Sequence, residues 1–304
     1  MKIVYAIRLG TTLPISALLT ASLSAAADSF DSRRAFQELE AQVAFGPRPP
    51  GSAAHEKLLD YLVAGLEVHA DQVRLQPFSR PGHDGSGEVR FTNVIAEFSV
   101  GSPRRILLGA HWDTRPFAEK EPEPANRGKP IPGANDGASG VAVLMEVARN
   151  LAEKPPPPGV GVDIVLFDGE DWGRTGHLEE YFVGSRYFAA NLDGYRPEFG
   201  IILDMVGDRE QTFFRERYSE LMAGPVVEMV WSKARLLGLD SFIDSPGQAI
   251  MDDHLPLLEA GILVIDIIDF DYPFWHTLQD TPDKCSPSSL EAVGVLVLSI
   301  IYGL

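Results

Sequence analysis

The sequence predicts an α/β fold: a single domain with a central, mostly parallel mixed sheet and helices on both faces. Three observations predict it. From about residue 90 to the end, short apolar runs alternate with longer segments of helical period, the pattern of strands joined by crossover helices. Of 304 residues, 45% are hydrophobic and 23% charged, so a sizeable core is expected. No internal repeat and no long linker divides the chain, so residues 28–304 read as one domain.

Residues 1–27 stand apart. Lys2 and Arg8 give a basic start, an apolar stretch through Leu13, Leu18, Leu19 and Leu23 follows, and Ser24-Ala25-Ala26-Ala27 ends it with no acidic residue before Asp28. That is the layout of a secretory signal peptide cleaved near Ala27. The alternative is an uncleaved anchor, which Pro14 and the serines and threonines argue against. The mature chain is then expected in the periplasm or the medium, free of the membrane.

The remaining elements follow in order. Residues 31–43 read as a helix capped by Asp31 or Ser32. Gly46-Pro47-Arg48-Pro49-Pro50-Gly51 is a turn, and residues 52–69 carry Leu58, Leu59, Leu62, Val63 and Leu66 at helical spacing. Residues 72–78 and 89–98 read as strands around a Gly/Ser loop, a hairpin at a sheet edge. Further strands are expected at 105–109, 162–167, 199–205 and 262–268. Helices are expected at 137–153, 183–191, 225–237, 252–260 and 288–302. Residues 116–132 form a long, proline-rich loop of the kind that carries function.

Charge and cysteine usage narrow the function. Net charge is -17, and loss of Lys2 and Arg8 leaves 24 basic against 43 acidic residues. Such a chain repels nucleic acid and anionic membranes. Cys285 is the only cysteine, so no intrachain disulfide forms, and nothing resembles a thiolate structural metal site.

The chemistry gathers where strands end. In open α/β sheets ligands bind beyond the carboxyl ends of the strands. There stand His111-Trp112-Asp113, Asp168-Gly169-Glu170-Asp171, Asp204, and Asp269-Phe270-Asp271 leading to Trp275-His276. Asp136 stands just before a helix. Singly, each has an ordinary reading: His111 a strand-end histidine, Asp136, Asp252 or Asp253 a helix cap, Asp168 a structural turn residue, Asp204 a partner for a neighbouring loop. Together they are metal-ligand types on one edge. Carboxylates with imidazole suit zinc, which keeps an open position in catalytic sites. Adjacent Glu170 and Asp171 point differently, so one can bind metal while the other handles protons.

These residues, in this order, resemble the animal-type glutaminyl-peptide cyclotransferases of the M28 zinc aminopeptidase clan. The resemblance covers residues 35–304. It is carried by His111-Trp112-Asp113, Gly133-Ala134-Asn135-Asp136, Phe167-Asp168-Gly169-Glu170-Asp171, Gly184-Ser185-Arg186, Asp204-Met205-Val206-Gly207, Asp252-Asp253-His254-Leu255-Pro256 and Trp275-His276-Thr277. The Asp-Asp-His-x-Pro block and Trp275 before His276 are similar to the cyclase branch. The resemblance implies one zinc on Asp136, Asp171 and His276, and Glu170 as proton shuttle. It also implies an acidic network of Glu170 with Asp204 and Asp252, and Trp275 as pocket wall. The substrate would be the N-terminal glutamine of a peptide, and the enzyme a monomer. The chain departs from the family at Asp171, where the cyclases usually carry Glu, and at Gly176, where they carry a pocket tryptophan. Trp172 is the nearby candidate to replace it. The loop 119–132 is longer than in the animal enzymes. Two other readings stay open: a two-zinc aminopeptidase, with His111 and Asp204 on a second metal and Asp136 bridging, and an inactive binding protein on the same scaffold.

Overall fold

Continuous apolar runs become strands buried on both faces, as expected of central parallel strands. In the computed structural model, which describes residues 29–83, 85 and 87–304, β4 (Val160–Phe167), β5 (Phe199–Asp204) and β8 (Val264–Ile268) are buried along their whole length. The signal peptide expected at 1–27 lies outside the described residues. β1 (Gln72–Pro81) and β2 (Glu88–Phe98) form the expected antiparallel hairpin, and β3 (Arg104–His111) runs into the interior.

The six-stranded sheet has the order β1-β2-β4-β3-β5-β8. β3 pairs in parallel with both β4 and β5, and β5 with β8, while β2 meets β4 antiparallel. The chain passes from β3 to β4 on one side and to β5 on the other, so β3 marks the switch point where such sheets hold ligands.

Helices cover both faces. In α3 (Ala138–Glu153), Gly140 sits against Ala110 of β3, and a Cβ there would lie 2.2 Å from the Leu203 carbonyl of β5. On the opposite face Phe167 of β4 meets Phe188 of α4 (Val183–Ala190), ring centroids 5.7 Å apart. α1 (Ser32–Ala44), α2 (Ala53–Glu67) and α7 (Pro287–Ile301) share the core with α3. Asp31, Ser52 and Ser286 cap the three through their side chains. No helix among the described residues is long and apolar enough to cross a membrane.

Two expectations need correction. The helix expected to begin at Pro225 begins eight residues earlier, as α5 (Arg217–Leu237), capped by Glu216. Proline there is internal, and its cost appears as a kink at Ala223, which leaves helical geometry (φ -131, ψ 33). The second sheet, β6 (Phe213–Arg215) with β7 (Phe242–Pro246), was not foreseen. Strands of three and five residues carry too little periodicity to register.

Candidate active site

The site is built by turns that follow the strands. After β4, Gly169 (φ 75) reverses the chain where a Cβ would strike Phe91 and Val183 at 2.6 Å. The amides of Glu170 and Asp171 then both donate to the Asp113 carboxylate, at 3.1 and 3.3 Å. Asp168 takes the structural role expected: it accepts from the Thr92 amide at 2.6 Å and lies 2.8 Å from His55 Nε2. Before α3, the Asp280 carboxylate accepts from the amides of Asn135 (2.8 Å) and Asp136 (3.2 Å). Gly137 holds the cap position of α3 without any side-chain cap, so Asp136 is left free of a capping role. Asp253 likewise caps nothing at the start of α6 (His254–Glu259).

These turns bring the expected ligands together. Asp136, Asp171 and His276 each offer a donor within 4.8 Å of the others, and so do His111, Asp136 and Asp204. Asp136 joins the two sets. Its Oδ1 lies 3.3 Å from His111 Nε2 and its Oδ2 3.7 Å from His276 Nε2. His276 Nε2 is 3.3 Å from Asp171 Oδ1, and His111 Nε2 is 3.1 Å from Asp204 Oδ1. His276 holds a left-handed backbone (φ 55), as does Met205 (φ 47) after Asp204, a costly conformation that gathers at functional sites.

The donor set fits a zinc ion. Asp136 Oδ2 and Asp171 Oδ2 are buried without a hydrogen-bond partner, a cost that a metal would remove. The electrostatics agree. Burial first, then Asp171, push Asp136 up to about 8. The same two causes raise Glu170 well above the carboxylate range, with Asp252 and Asp253 adding to them. Burial acts to raise Asp171 too, but His276 and then Arg115 outweigh it and hold it low. Burial would lower His276, yet Asp171 and then Glu119 hold it up at about 10. A crowd of carboxylates that raise one another is stabilised by a bound dication.

Behind Glu170 the acids continue inward. Burial and then Asp204 raise Asp252 to about 6. Asp266, in the middle of β8, is raised well above the usual range by burial and then Asp252. His254 closes the chain, with Nε2 3.2 Å from Glu216 and Nδ1 3.6 Å from Asp266.

Asp136, Glu170, Asp171, Asp204, Asp252 and His276 line a cavity of about 370 Å³. Trp275 forms part of its wall, with Phe270, Tyr181, Phe182, Ile250 and Met205. Gly176 also lines it, and open space surrounds its Cβ position. Trp172 does not stand in for a tryptophan there. It packs with Phe78, Phe91 and Val183 and stacks on His83, centroids 3.7 Å apart. Tyr181, whose ring lies against Gly173, lines the cavity there and Trp172 does not.

Sequence reasoning placed the ligands, Glu170, Asp204, Asp252 and Trp275 at one site. It missed their supports Asp280, Arg115, Glu119, Asp266 and Arg48, whose guanidinium bonds the carbonyls of Pro132 and Gly133, and it quoted His254 in the Asp252-Asp253-His254 block without giving it a role. A charged residue inside an apolar strand, Asp266, was the one legible signal among them.

Comparison with known proteins agrees with this geometry. The glutaminyl cyclase of Bacteroides thetaiotaomicron is 38% identical, with a TM-score of 0.87 over 91% of this chain and 99% of that one. A leucine aminopeptidase precursor from the same bacterium is 39% identical, with a TM-score of 0.87 over 91% and 98%. The glutaminyl-peptide cyclotransferase-like protein of Mus musculus is 25% identical over 80% of this chain and 68% of its own. The expected likeness to the animal enzymes is thus present, but the bacterial cyclase is the nearer of the two. The model of peptidase family M28 matches residues 93–301, and the chain belongs to that family.

Proposed function

We propose that the chain is a zinc-dependent glutaminyl-peptide cyclotransferase, converting the N-terminal glutamine of peptides or proteins to pyroglutamate with release of ammonia. One observation carries the reading: one metal pole, whose histidine is anchored through its second nitrogen, stands beside Glu170, a buried carboxyl able to exchange a proton. Asp136, Asp171 and His276 would hold the zinc. His276 Nδ1 is bonded to Glu119 Oε1 at 2.9 Å. His111 Nδ1, at the other pole, is 3.6 Å from Asp113 and has no hydrogen-bond partner. Ligating histidines ordinarily donate their second nitrogen to a carboxylate or carbonyl. The contrast supports one zinc rather than two.

When bound, zinc would polarise the side-chain amide of the glutamine as a Lewis acid. The substrate's own α-amine attacks the amide carbon, so no enzyme nucleophile is required, and held geometry favours closure of the five-membered ring. Glu170 takes the proton from the amine and passes it to the departing ammonia as the C–N bond breaks. Burial, Asp171, Asp252 and Asp253 keep it protonatable. The leader at 1–27 supports an exported enzyme.

The test is a peptide beginning with glutamine, assayed for pyroglutamate and ammonia before and after chelation. Activity should vanish on chelation and return with zinc, and dialysed protein should retain one ion per chain. Cyclisation that ignores the chelator overturns the zinc chemistry. The His111, Asp136 and Asp204 set favours one rival, a two-zinc aminopeptidase. Two retained ions, with release of N-terminal leucine and no pyroglutamate, would establish that rival.

A further inference from the structure

The long loop that follows β3 does more than border the cavity. Arg115 opens it and is fully buried. Its Nη1 donates to the carbonyls of Asp171, at 2.8 Å, and Gly173, at 2.5 Å. Its Nε and Nη2 grip Glu119 from one side, at 2.9–3.1 Å. Glu119 Oε1 then accepts from His276 Nδ1 at 2.9 Å. The Lys120 amide donates to the His276 carbonyl at 3.2 Å, and Glu121 Oε1 accepts from the Leu278 amide at 2.8 Å. The loop thus holds His276 by its ring and by its backbone, and holds the backbone of Asp171 through Arg115.

The ring contact has a direction. With Nδ1 turned to Glu119, Nε2 is the nitrogen left facing Asp171 Oδ1 (3.3 Å) and Asp136 Oδ2 (3.7 Å). Glu119 cannot swing away freely, because Arg115 is itself pinned to the turn after β4. Asp171 is one methylene shorter than Glu, so its reach depends on where its backbone stands, and Arg115 sets that backbone. One ion-paired unit therefore orients two of the three ligands.

We propose that Glu119 is a positioning residue for the metal: it fixes the His276 tautomer and ring plane, and its ion pair with Arg115 ties that ring to the Asp171 turn. The proposal rests on the reading that Asp136, Asp171 and His276 hold zinc. A carboxylate placed behind a ligating histidine is worth about 10–100-fold in metal affinity.

The experiment is zinc affinity by competition with a chromogenic chelator, for wild type, Glu119→Ala, Glu119→Gln and Glu121→Ala, with thermal unfolding of each chelated protein. Glu119→Ala should bind zinc about 10–100-fold more weakly. Glu119→Gln keeps an acceptor but no charge and should fall between it and wild type. Glu121→Ala loosens the same loop at Leu278 without touching the imidazole and should keep wild-type affinity. Glu119→Ala with wild-type affinity overturns the proposal. So does Glu121→Ala losing as much, since the effect would then belong to loop tethering. Wild type that binds no zinc is a different failure, that of the zinc reading. Unchanged unfolding of the chelated variants shows that any loss belongs to the metal.

Discussion

Glu170→Gln separates proton transfer from metal binding. The carboxyl is buried, 8% exposed, and lies outside both sets of grouped donors that contain Asp136. An amide of the same shape can accept hydrogen bonds but cannot carry the proton from amine to ammonia. Loss of a general acid–base typically costs about 10²–10⁴-fold. At about 1.36 kcal/mol per tenfold, that is about 2.7–5.4 kcal/mol on the barrier. The fold should gain rather than lose. Burial, Asp171, Asp252 and Asp253 all oppose ionisation of Glu170, and a neutral amide meets none of that opposition. The unfolding temperature should therefore equal or exceed wild type, as when a residue kept for activity costs stability. The assay is ammonia release in a coupled system, with zinc by elemental analysis and unfolding by calorimetry. A near-normal rate with zinc in place would remove Glu170 from the chemistry. Loss of zinc would make it a ligand.

Three more predictions follow from the supports. Asp113→Ala leaves two buried amides without an acceptor, about 1–3 kcal/mol each; calorimetry should record a lower unfolding temperature and the ammonia assay a lower rate. Gly140→Ala brings a methyl 2.2 Å from the Leu203 carbonyl and 3.0 Å from Ala110 Cβ; overpacking of this kind costs about 1–3 kcal/mol, and urea unfolding should report it. Burial would raise Glu216, but His254 and then the Ile250 and Ser219 amides hold it down at about 2. Its folded pKa lies below the unfolded one, so its contribution is present above about pH 4.5 and fades as pH falls towards 2. Urea unfolding of Glu216→Gln between pH 2 and 6 should show a flatter acid limb than wild type; an identical limb would refute the assignment.

Much of the fold was legible because its signals are local. The strands at β3, β4, β5 and β8 are built on short, mostly apolar runs, broken by Asp163 in β4 and Asp266 in β8, as burial on both faces favours. Caps at Asp31, Ser52 and Ser286 follow from the residue types that can bond free helix amides. Failure came where one residue admits two roles. Pro225 can start a helix or kink one, and the sequence around it does not reveal that Glu216 caps α5 while also accepting from the Ile250 amide at 3.0 Å.

The site divides along the same line. Asp204 ends β5, and Glu170 and Asp171 stand in the turn just after β4, so strand order brings these candidates to one edge, while Asp136 before α3 and His276 in the loop after β8 reach it through the segments between. Their supports obey no such rule. Asp280 holds Asp136 from 144 positions away, and Glu119 holds His276 across 157. No spacing in the sequence encodes those pairs; they exist only once the sheet has set the loop ends against each other. Trp172 failed for the converse reason. It is near Gly176 in sequence, but the turn between them points it at Phe91 and His83. Closeness along the chain is weak evidence of a shared wall. It follows that a substrate-binding aromatic for this chain is better sought at Tyr181 and Phe182 or at Phe270, which reach the cavity from two separate segments, than by restoring a tryptophan at Gly176. At Gly176 the backbone φ of 88° would strain any side chain placed there, whatever room surrounds it.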